Sequence, residues 1–119
     1  MSLTGGKIEI THAAFDVLAE RRRQVESQGW TPEHDDQHLA GELADAAACY
    51  AMAGGGTVMF GRAVLTFQDE GHAVWPWRVE AWKPSTDPDE VAAKRRNLVK
   101  AGALILAEIE RLDRLRGIR

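Results

Sequence analysis

The chain has one cysteine, four prolines and no long apolar run among its 119 residues. A single thiol, Cys49, cannot form an internal disulfide, which argues against a disulfide-stabilised secreted scaffold. No apolar stretch approaches the ~18 residues that a membrane span needs. Residues 1–10 lack the basic and apolar regions of a signal peptide. We therefore expect a cytoplasmic protein that does not associate with a membrane.

An excess of positive charge is also missing, because 15 Lys and Arg face 18 Asp and Glu for a formal net charge of -3. Nucleic acid is therefore not an expected partner. The 45% hydrophobic and 28% charged residues are ordinary for a globular protein. We expect a flexible tail at 1–10 and a single helical domain at 11–119. A domain of this size can be stable alone and would benefit from a partner subunit, so oligomerisation is not required.

Two helices are predicted in the first half of the chain. Residues 11–28 predict the first, with Thr11 placed to cap it and Gly29 placed to end it. The alanine-rich residues 36–53 predict the second, which ends at a glycine triplet. A short helical turn between them would begin at Pro32. One face of the second helix is predicted to be buried and carries Leu39, Leu43, Ala46, Ala47 and Tyr50.

The last predicted helix is the longest. Asp87 is placed to cap it, Pro88 suits its first position, and the helical pattern extends to about Arg116. At 1.5 Å per residue this helix spans ~42 Å. The fold class predicted is therefore all-α, a small helical bundle with a long C-terminal helix. The predicted buried face of this helix carries Val91, Leu98, Ala101, Gly102, Ile105, Ile109 and Leu112.

The segment between the second and last helices has weaker signals. Short apolar runs on either side of a turn predict a β-hairpin insertion around residues 64–75. The following tryptophans alternate with prolines, which disfavour a regular helix. We expect residues 75–84 to form an extended aromatic segment that packs across the helices.

A polar stripe on the second predicted helix is the first candidate site. His38, Glu42, Asp45 and Cys49 follow one another at helical spacing. Two carboxylates three positions apart suit Mg²⁺ bound together with a substrate phosphate. The prediction is a magnesium site of Asp36, His38, Glu42 and Asp45, in which Glu42 and Asp45 are catalytic. Spacing alone favours the simpler interpretation that an apolar helix exposes its few polar residues to water.

A cationic group near the start of the last helix is the second candidate. Arg95, Arg96 and Lys100 oppose the helix dipole there, a cost that a bound phosphate would offset. Trp30 could stack on a nucleobase. Ion pairs with neighbouring acids, and core packing for the tryptophans, are the alternative interpretations. We predict that Trp30, Arg95, Arg96 and Lys100 bind a nucleotide or another phosphorylated small molecule.

Three segments carry a family resemblance: 20–30, with its ERRRQ and GW, then GELAD at 41–45, and 96–114. Together they resemble the MazG-like all-α nucleotide pyrophosphohydrolases, particularly short phage and prophage members. The resemblance implies a homodimer that hydrolyses a nucleoside triphosphate to a monophosphate and pyrophosphate with Mg²⁺. Glu42 and Asp45 correspond to the first E-x-x-E metal motif of that family.

The chain departs from the family at the second metal motif, where Asn97 and Lys100 replace an E-x-x-D pair. An ammonium cannot ligate a cation. Either another acid (Asp35, Asp36 or Glu108) completes the site, or the scaffold has a different task. The alternative is a catalytically inactive binding or assembly module that uses the aromatic segment and the small-residue face of the second helix. A fainter similarity, to the ryanodine-receptor-type repeat domain, leaves Glu42 and Asp45 unexplained.

Overall fold

Four α-helices make up most of the fold. The computed structural model describes residues 8–55 and 75–117, and no strand occurs in these two ranges. The predicted all-α class with a long C-terminal helix is confirmed. Apart from Trp75, the predicted hairpin around 64–75 lies outside the described residues. The helices are α1 (His12–Gln28), α2 (Pro32–Asp35), α3 (Glu42–Gly54) and α4 (Glu90–Leu115), with a 3-10 turn at Val79–Ala81.

The long helix α4 organises the packing, because α1, α2 and α3 each pack against it. Small residues allow close approach at two crossings. At Gly54 of α3, the place that a Cβ would take lies against the Leu98 side chain of α4. At Gly102 of α4, the same place lies against Val17 of α1. None of the described helices is long and apolar enough to cross a membrane.

The ends of α1 are where the sequence predicts them. The Thr11 hydroxyl oxygen accepts a hydrogen bond from the backbone N–H of Ala14 at 3.2 Å, which caps the first turn. Gly29 ends the helix with a left-handed φ of 70°. The short helix α2 confirms the helical turn predicted at Pro32, and Thr31 caps it.

The predicted start of the second helix at residue 36 was wrong. The helix α3 begins at Glu42, six residues later, because Gly41 adopts a left-handed conformation with a φ of 83° that an α-helix cannot contain. Residues 36–38 instead continue the turn after α2. As a result Leu39, predicted on the buried face, is 71% exposed, whereas the other predicted members of that face are buried.

The predicted cap of α4 was also wrong, by two residues. The N-cap is Asp89, whose Oδ1 accepts hydrogen bonds from the backbone N–H groups of Val91 and Ala92. The carboxylate of Asp87 accepts from the N–H of Asp89 at 2.8 Å and so supports the turn before the helix. Pro88 therefore precedes the helix.

The buried face of α4 differs from the predicted one. The large residues of the predicted stripe are about half exposed or more: Val91, Leu98, Ile105, Ile109 and Leu112. Ala101, Leu104 and Ala107 form the buried face together with the polar residues Asn97 and Arg111. Alanines on both α3 and α4 belong to the core, so the two helices pack closely over small side chains.

The aromatic segment closes the core. Trp75 is 1% exposed and meets the Tyr50 ring edge to face, with centroids 5.8 Å apart. The ring centroid of Trp82 is 4.7 Å from that of Tyr50, and Trp82 packs against the core. These contacts favour the interpretation of the tryptophans as core residues.

Candidate functional site

A buried carboxylate joins α1 to α4. Glu20 on α1 is 3% exposed, and Arg23 and Arg96 contact its two oxygens at 2.7 and 2.8 Å. Burial is the largest single influence and raises the pKa of Glu20. The hydrogen bonds and charges of Arg23 and Arg96 together outweigh it, so the pKa is lower than the ordinary value. Glu20 is therefore an anion held between two guanidinium groups.

A cavity of about 490 Å³ lies beside this cluster, and Arg95 and Arg96 line it. Arg95 forms an ion pair with Asp16 of α1 at 2.8 Å. Both predicted phosphate-binding arginines are therefore paired with acids of α1, as the alternative interpretation expects. Nearly half of the Arg95 side chain is still exposed, so it can contact a ligand as well.

A smaller cavity of about 140 Å³ is lined by the other two predicted substrate-binding residues, Trp30 and Lys100. The Lys100 ammonium donates a hydrogen bond to the backbone carbonyl of Lys83 at 2.7 Å and lies 5.4 Å from the centroid of the Tyr50 ring. Burial, followed by the charge of Arg96, lowers the pKa of Lys100. Glu20 and Arg23 line both cavities, which therefore adjoin each other.

An unpaired acceptor lies at the smaller cavity. Gln24 is 2% exposed, and its Nε2 donates to the Glu20 carboxylate at 3.4 Å. Because a carboxylate can only accept, this bond fixes the amide orientation. The Oε1 atom is then buried without a hydrogen-bond partner among the described residues. A buried carbonyl oxygen in this state is stabilised by any donor that enters the cavity.

The predicted magnesium ligands lie elsewhere, around the first turn of α3. Asp36 is bound by Arg114, with Nη2 and Oδ1 2.7 Å apart. Glu42 accepts from the backbone N–H of Ala40 at 2.7 Å, and its Oε2 lies 3.5 Å from Nδ1 of His38. Within residues 8–55 and 75–117, no three or more His, Cys, Asp or Glu side chains come together to form a metal site.

The carboxylates of Glu42 and Asp45 differ electrostatically. Hydrogen bonds from backbone N–H groups, first its own, lower the pKa of Glu42 against the opposing effect of burial. Burial and then the negative charge of Glu42 raise the pKa of Asp45. Glu42 and Asp45 carry carboxylate oxygens, the ligands that Mg²⁺ prefers. Asp36 is occupied by an arginine, and the His38 nitrogens are poor magnesium ligands, so these two fit it less well.

The positions aligned with the second metal motif have structural partners. Asn97 accepts from the backbone N–H of Ser85 at 2.8 Å, so it fixes the segment before α4 as Lys100 does. The three acids proposed as substitutes do not join Glu42 and Asp45 in a cluster. Asp35 is bound to Arg21 at 2.8 Å, and Glu108 to Arg111 at 2.7 Å.

Sequence reasoning missed Glu20, Arg23 and Gln24 as parts of the site. The ERRRQ stretch contributed only to the family resemblance. The available signal was the spacing, because positions i, i+3 and i+4 share one face of a helix. Which face turned inward could not be known without the position of α4.

Comparisons with known proteins place the chain in no group: no family model matches it, and no curated protein and no solved structure is significantly similar to it.

Proposed function

We propose that this chain binds a nucleotide or a similar phosphorylated small molecule in the two adjoining cavities along α1 and α4. The observation that supports this proposal most is a convergence. Trp30 lies 65 positions before Arg95 in the sequence, and yet Trp30, Arg95, Arg96 and Lys100 all line one or the other cavity.

The larger cavity suits the phosphates. Its volume of about 490 Å³ falls within the range of ~300–1,000 Å³ typical of small-molecule sites. Arg95 and Arg96 carry planar guanidinium groups, which bind phosphate oxygens in pairs. A phosphate there would compete with Asp16 and Glu20 for these arginines.

The smaller cavity suits one edge of a base or sugar. The rings of Trp30 and Tyr50 supply apolar surface, and Lys100 supplies a cation. The unpaired Oε1 of Gln24 would accept a hydrogen bond from an amine or hydroxyl group. Binding is therefore expected to require both a phosphate and a polar organic part.

The test is thermal stability of the purified chain against nucleoside mono-, di- and triphosphates, each with and without Mg²⁺. A ligand at 100 times its Kd adds about 2.7 kcal/mol to the free energy of unfolding. Lys100→Met is expected to lose most of this gain. Lys94→Met is the matched control, since Lys94 is on the same helix, pairs with Glu90 and lines neither cavity. Equal gains in the two variants, or no gain with any nucleotide, would contradict the proposal.

Hydrolysis to a monophosphate and pyrophosphate is the activity proposed for this ligand. This activity requires the phosphates of the ligand to reach the first turn of α3, outside the two cavities. There Glu42 and Asp45 would hold Mg²⁺, which would neutralise the phosphates and activate the attacking water. Two carboxylates are enough when the substrate phosphates supply further oxygens. Glu42→Lys is expected to abolish release of pyrophosphate and to leave the circular dichroism spectrum unchanged. Unchanged turnover in this variant would exclude the role given to Glu42.

Assembly into a homodimer is the second candidate function, and one observation favours it. Val91, Leu98, Ile105 and Leu112 recur every seven residues along α4 and are all about half exposed or more. A seven-residue apolar repeat is the pattern of paired helices. Because Trp77 packs against the core, the interface proposed is this stripe rather than the aromatic segment.

The dimer is tested by sedimentation equilibrium. Ile105→Glu is expected to shift the wild-type dimer to a monomer, because a carboxylate would be buried at the centre of the stripe. Val25→Glu on α1 is a control for the added charge. A wild-type monomer at all concentrations, or a dimer that tolerates Ile105→Glu, would count against this interface.

A further inference from the structure

His34 in α2 and His38, between α2 and α3, approach each other through the same ring atom. The Nε2 atoms of His34 and His38 are 3.5 Å apart. The rings meet edge to face, with centroids 4.8 Å apart. They border a cavity of about 180 Å³ that Trp30, Trp77 and Ala81 also line.

Each histidine has a carboxylate at its other nitrogen. Nδ1 of His34 lies 3.2 Å from Oδ1 of Asp35, and Nδ1 of His38 lies 3.5 Å from Oε2 of Glu42. The side chain of Asp35 has no exposed surface, and Arg21 holds its other oxygen at 2.8 Å. The carboxylate of Asp35 is therefore fixed in position.

These carboxylates favour one tautomer of each ring. An ionised carboxylate only accepts, so a hydrogen on each Nδ1 is stabilised by its acid. In the neutral form of each ring, Nε2 then has a lone pair and no hydrogen. The two Nε2 atoms, 3.5 Å apart, can then both supply a lone pair to one cation.

We propose that His34 and His38 bind a divalent transition-metal ion, of the class of Zn²⁺, Ni²⁺ or Cu²⁺, through their Nε2 atoms. Nitrogens about 2.0–2.1 Å from a tetrahedral metal are about 3.4 Å apart, close to the separation present here. Histidines that bind metals usually have a carboxylate at their second ring nitrogen, as His34 and His38 do.

The remaining positions on the metal are filled from the cavity. No third His, Cys, Asp or Glu joins the pair among the described residues, so water or a small ligand completes the coordination. The indole N–H of Trp77 is buried and has no hydrogen-bond partner in the described part of the chain. It can donate to a water or anion bound at the metal.

This site shares Glu42 with the magnesium pair proposed above, but its metal is held by other atoms, the Nε2 atoms of His34 and His38. It uses nitrogen ligands, which suit transition metals, whereas Mg²⁺ prefers oxygen. The residues that it adds are His34 and Asp35. Its test is independent of any nucleotide, so it can succeed or fail regardless of the proposed function.

The experiment titrates tag-free, metal-free protein with Ni²⁺ and Cu²⁺ and records tryptophan fluorescence. The ring centroids of Trp30 and His34 are 6.0 Å apart, and those of Trp77 and His38 are 5.3 Å apart. Either metal should therefore quench the emission of these tryptophans. We expect saturation at one ion per chain, tighter binding of Cu²⁺ than of Ni²⁺, and reversal by a chelator. His34→Gln and His38→Gln should each weaken binding by at least about tenfold.

The matched control is the double variant His12→Gln/His72→Gln, which removes the other two histidines and should bind as the wild type does. X-ray absorption of the wild-type Ni²⁺ complex provides a measurement that needs no variant and should show two imidazole ligands. Binding no tighter than in His34→Gln, or a spectrum without imidazole ligands, would overturn the proposal.

Discussion

Arg21 shows how one side chain can connect distant parts of this chain. Its guanidinium contacts Asp35 at 2.8 Å and Glu110 at 3.1 Å, and it donates to the carbonyl of Trp30 at 3.2 Å. Asp35 is completely buried. A buried carboxylate is tolerated only when it is paired and hydrogen-bonded.

Arg21→Met is predicted to lower the free energy of unfolding by about 3–5 kcal/mol, because Asp35 would remain buried without its charge partner. Urea denaturation measures the change. Arg22→Met is the control, since Arg22 is exposed and should alter stability by no more than about 0.5 kcal/mol. Similar midpoints for the two variants would show that Asp35 does not depend on Arg21.

Cys49 is predicted to be unreactive in the folded protein. It is fully buried, and burial, followed by the charge of Asp45, raises the pKa of its thiol to about 12. Since the thiolate is the reacting species, a disulfide reagent at pH 8 should label the native chain far more slowly than the chain in urea. Equal labelling rates would mean that the thiol is accessible.

At the scale of residues, the sequence was sufficient to predict which side chains form a charged group, but not which residues form ion pairs with them. It identified Arg95, Arg96 and Lys100 as a cationic group, and these residues do lie near one another at the cavities. It could not identify Glu20 as their counterion, because that contact joins residues 76 positions apart. Pairings over such distances depend on how the helices pack.

The crossing of α3 and α4 depends on Gly54. A Cβ at this position would lie 2.5 Å from Cγ of Leu98 and 3.2 Å from the carbonyl oxygen of Lys94. A methyl group would therefore force the two helices apart.

Gly54→Ala is predicted to destabilise the protein by about 1–3 kcal/mol, the usual cost of overpacking. Gly102→Ala is the comparison. Its Cβ would meet only the Val17 side chain, at 3.1 Å, and a helix interior favours alanine over glycine by about 0.5–1 kcal/mol. It should therefore be nearly neutral in thermal denaturation. The reverse order of the two variants would contradict the packing described.

At the scale of elements, local sequence signals were enough to predict that the helices exist, but not always at which residues they begin and end. Thr11 and Gly29 end α1 as predicted. Glycine at 41 and aspartate at 87 and 89 allow several starts for α3 and α4, and only tertiary packing selects one. The inward face of α4 was predicted from its large residues, whereas the close approach of α3 selected its alanines.

The whole molecule should lose stability in acid partly through Glu20. Its pKa in the folded state is below the ordinary value of 4.5. Its contribution is therefore complete above the pKa of the unfolded chain, and it is lost as the pH falls through the lower folded pKa.

Glu20→Gln is predicted to cost about 2 kcal/mol at pH 7, because two arginines lose a charged hydrogen-bond partner. The difference from the wild type should shrink as the pH falls from 5 to about 2, since the wild type then becomes neutral at this position as well. Urea denaturation at a series of pH values measures it. A constant difference across this range would show that Glu20 does not titrate with folding.

At the scale of the molecule, composition and the long last helix predicted the all-α class. The assembly of α1, α2 and α3 around α4 was not predictable, because each helix has more than one apolar or small-residue face. The position of the candidate site could not be predicted for the same reason, because both cavities form where α1 meets α4.

The central position of α4 implies an order of local opening. In the described part of the chain, the extensive helix–helix contacts all include α4, so α1 can detach while α3 and α4 stay packed. Three ion pairs, from Asp16, Glu20 and Arg21, join α1 to α4. Added salt weakens exposed pairs more than apolar packing. Amide hydrogens of α1 should therefore exchange with solvent before those of α4, and high salt should widen the gap between them.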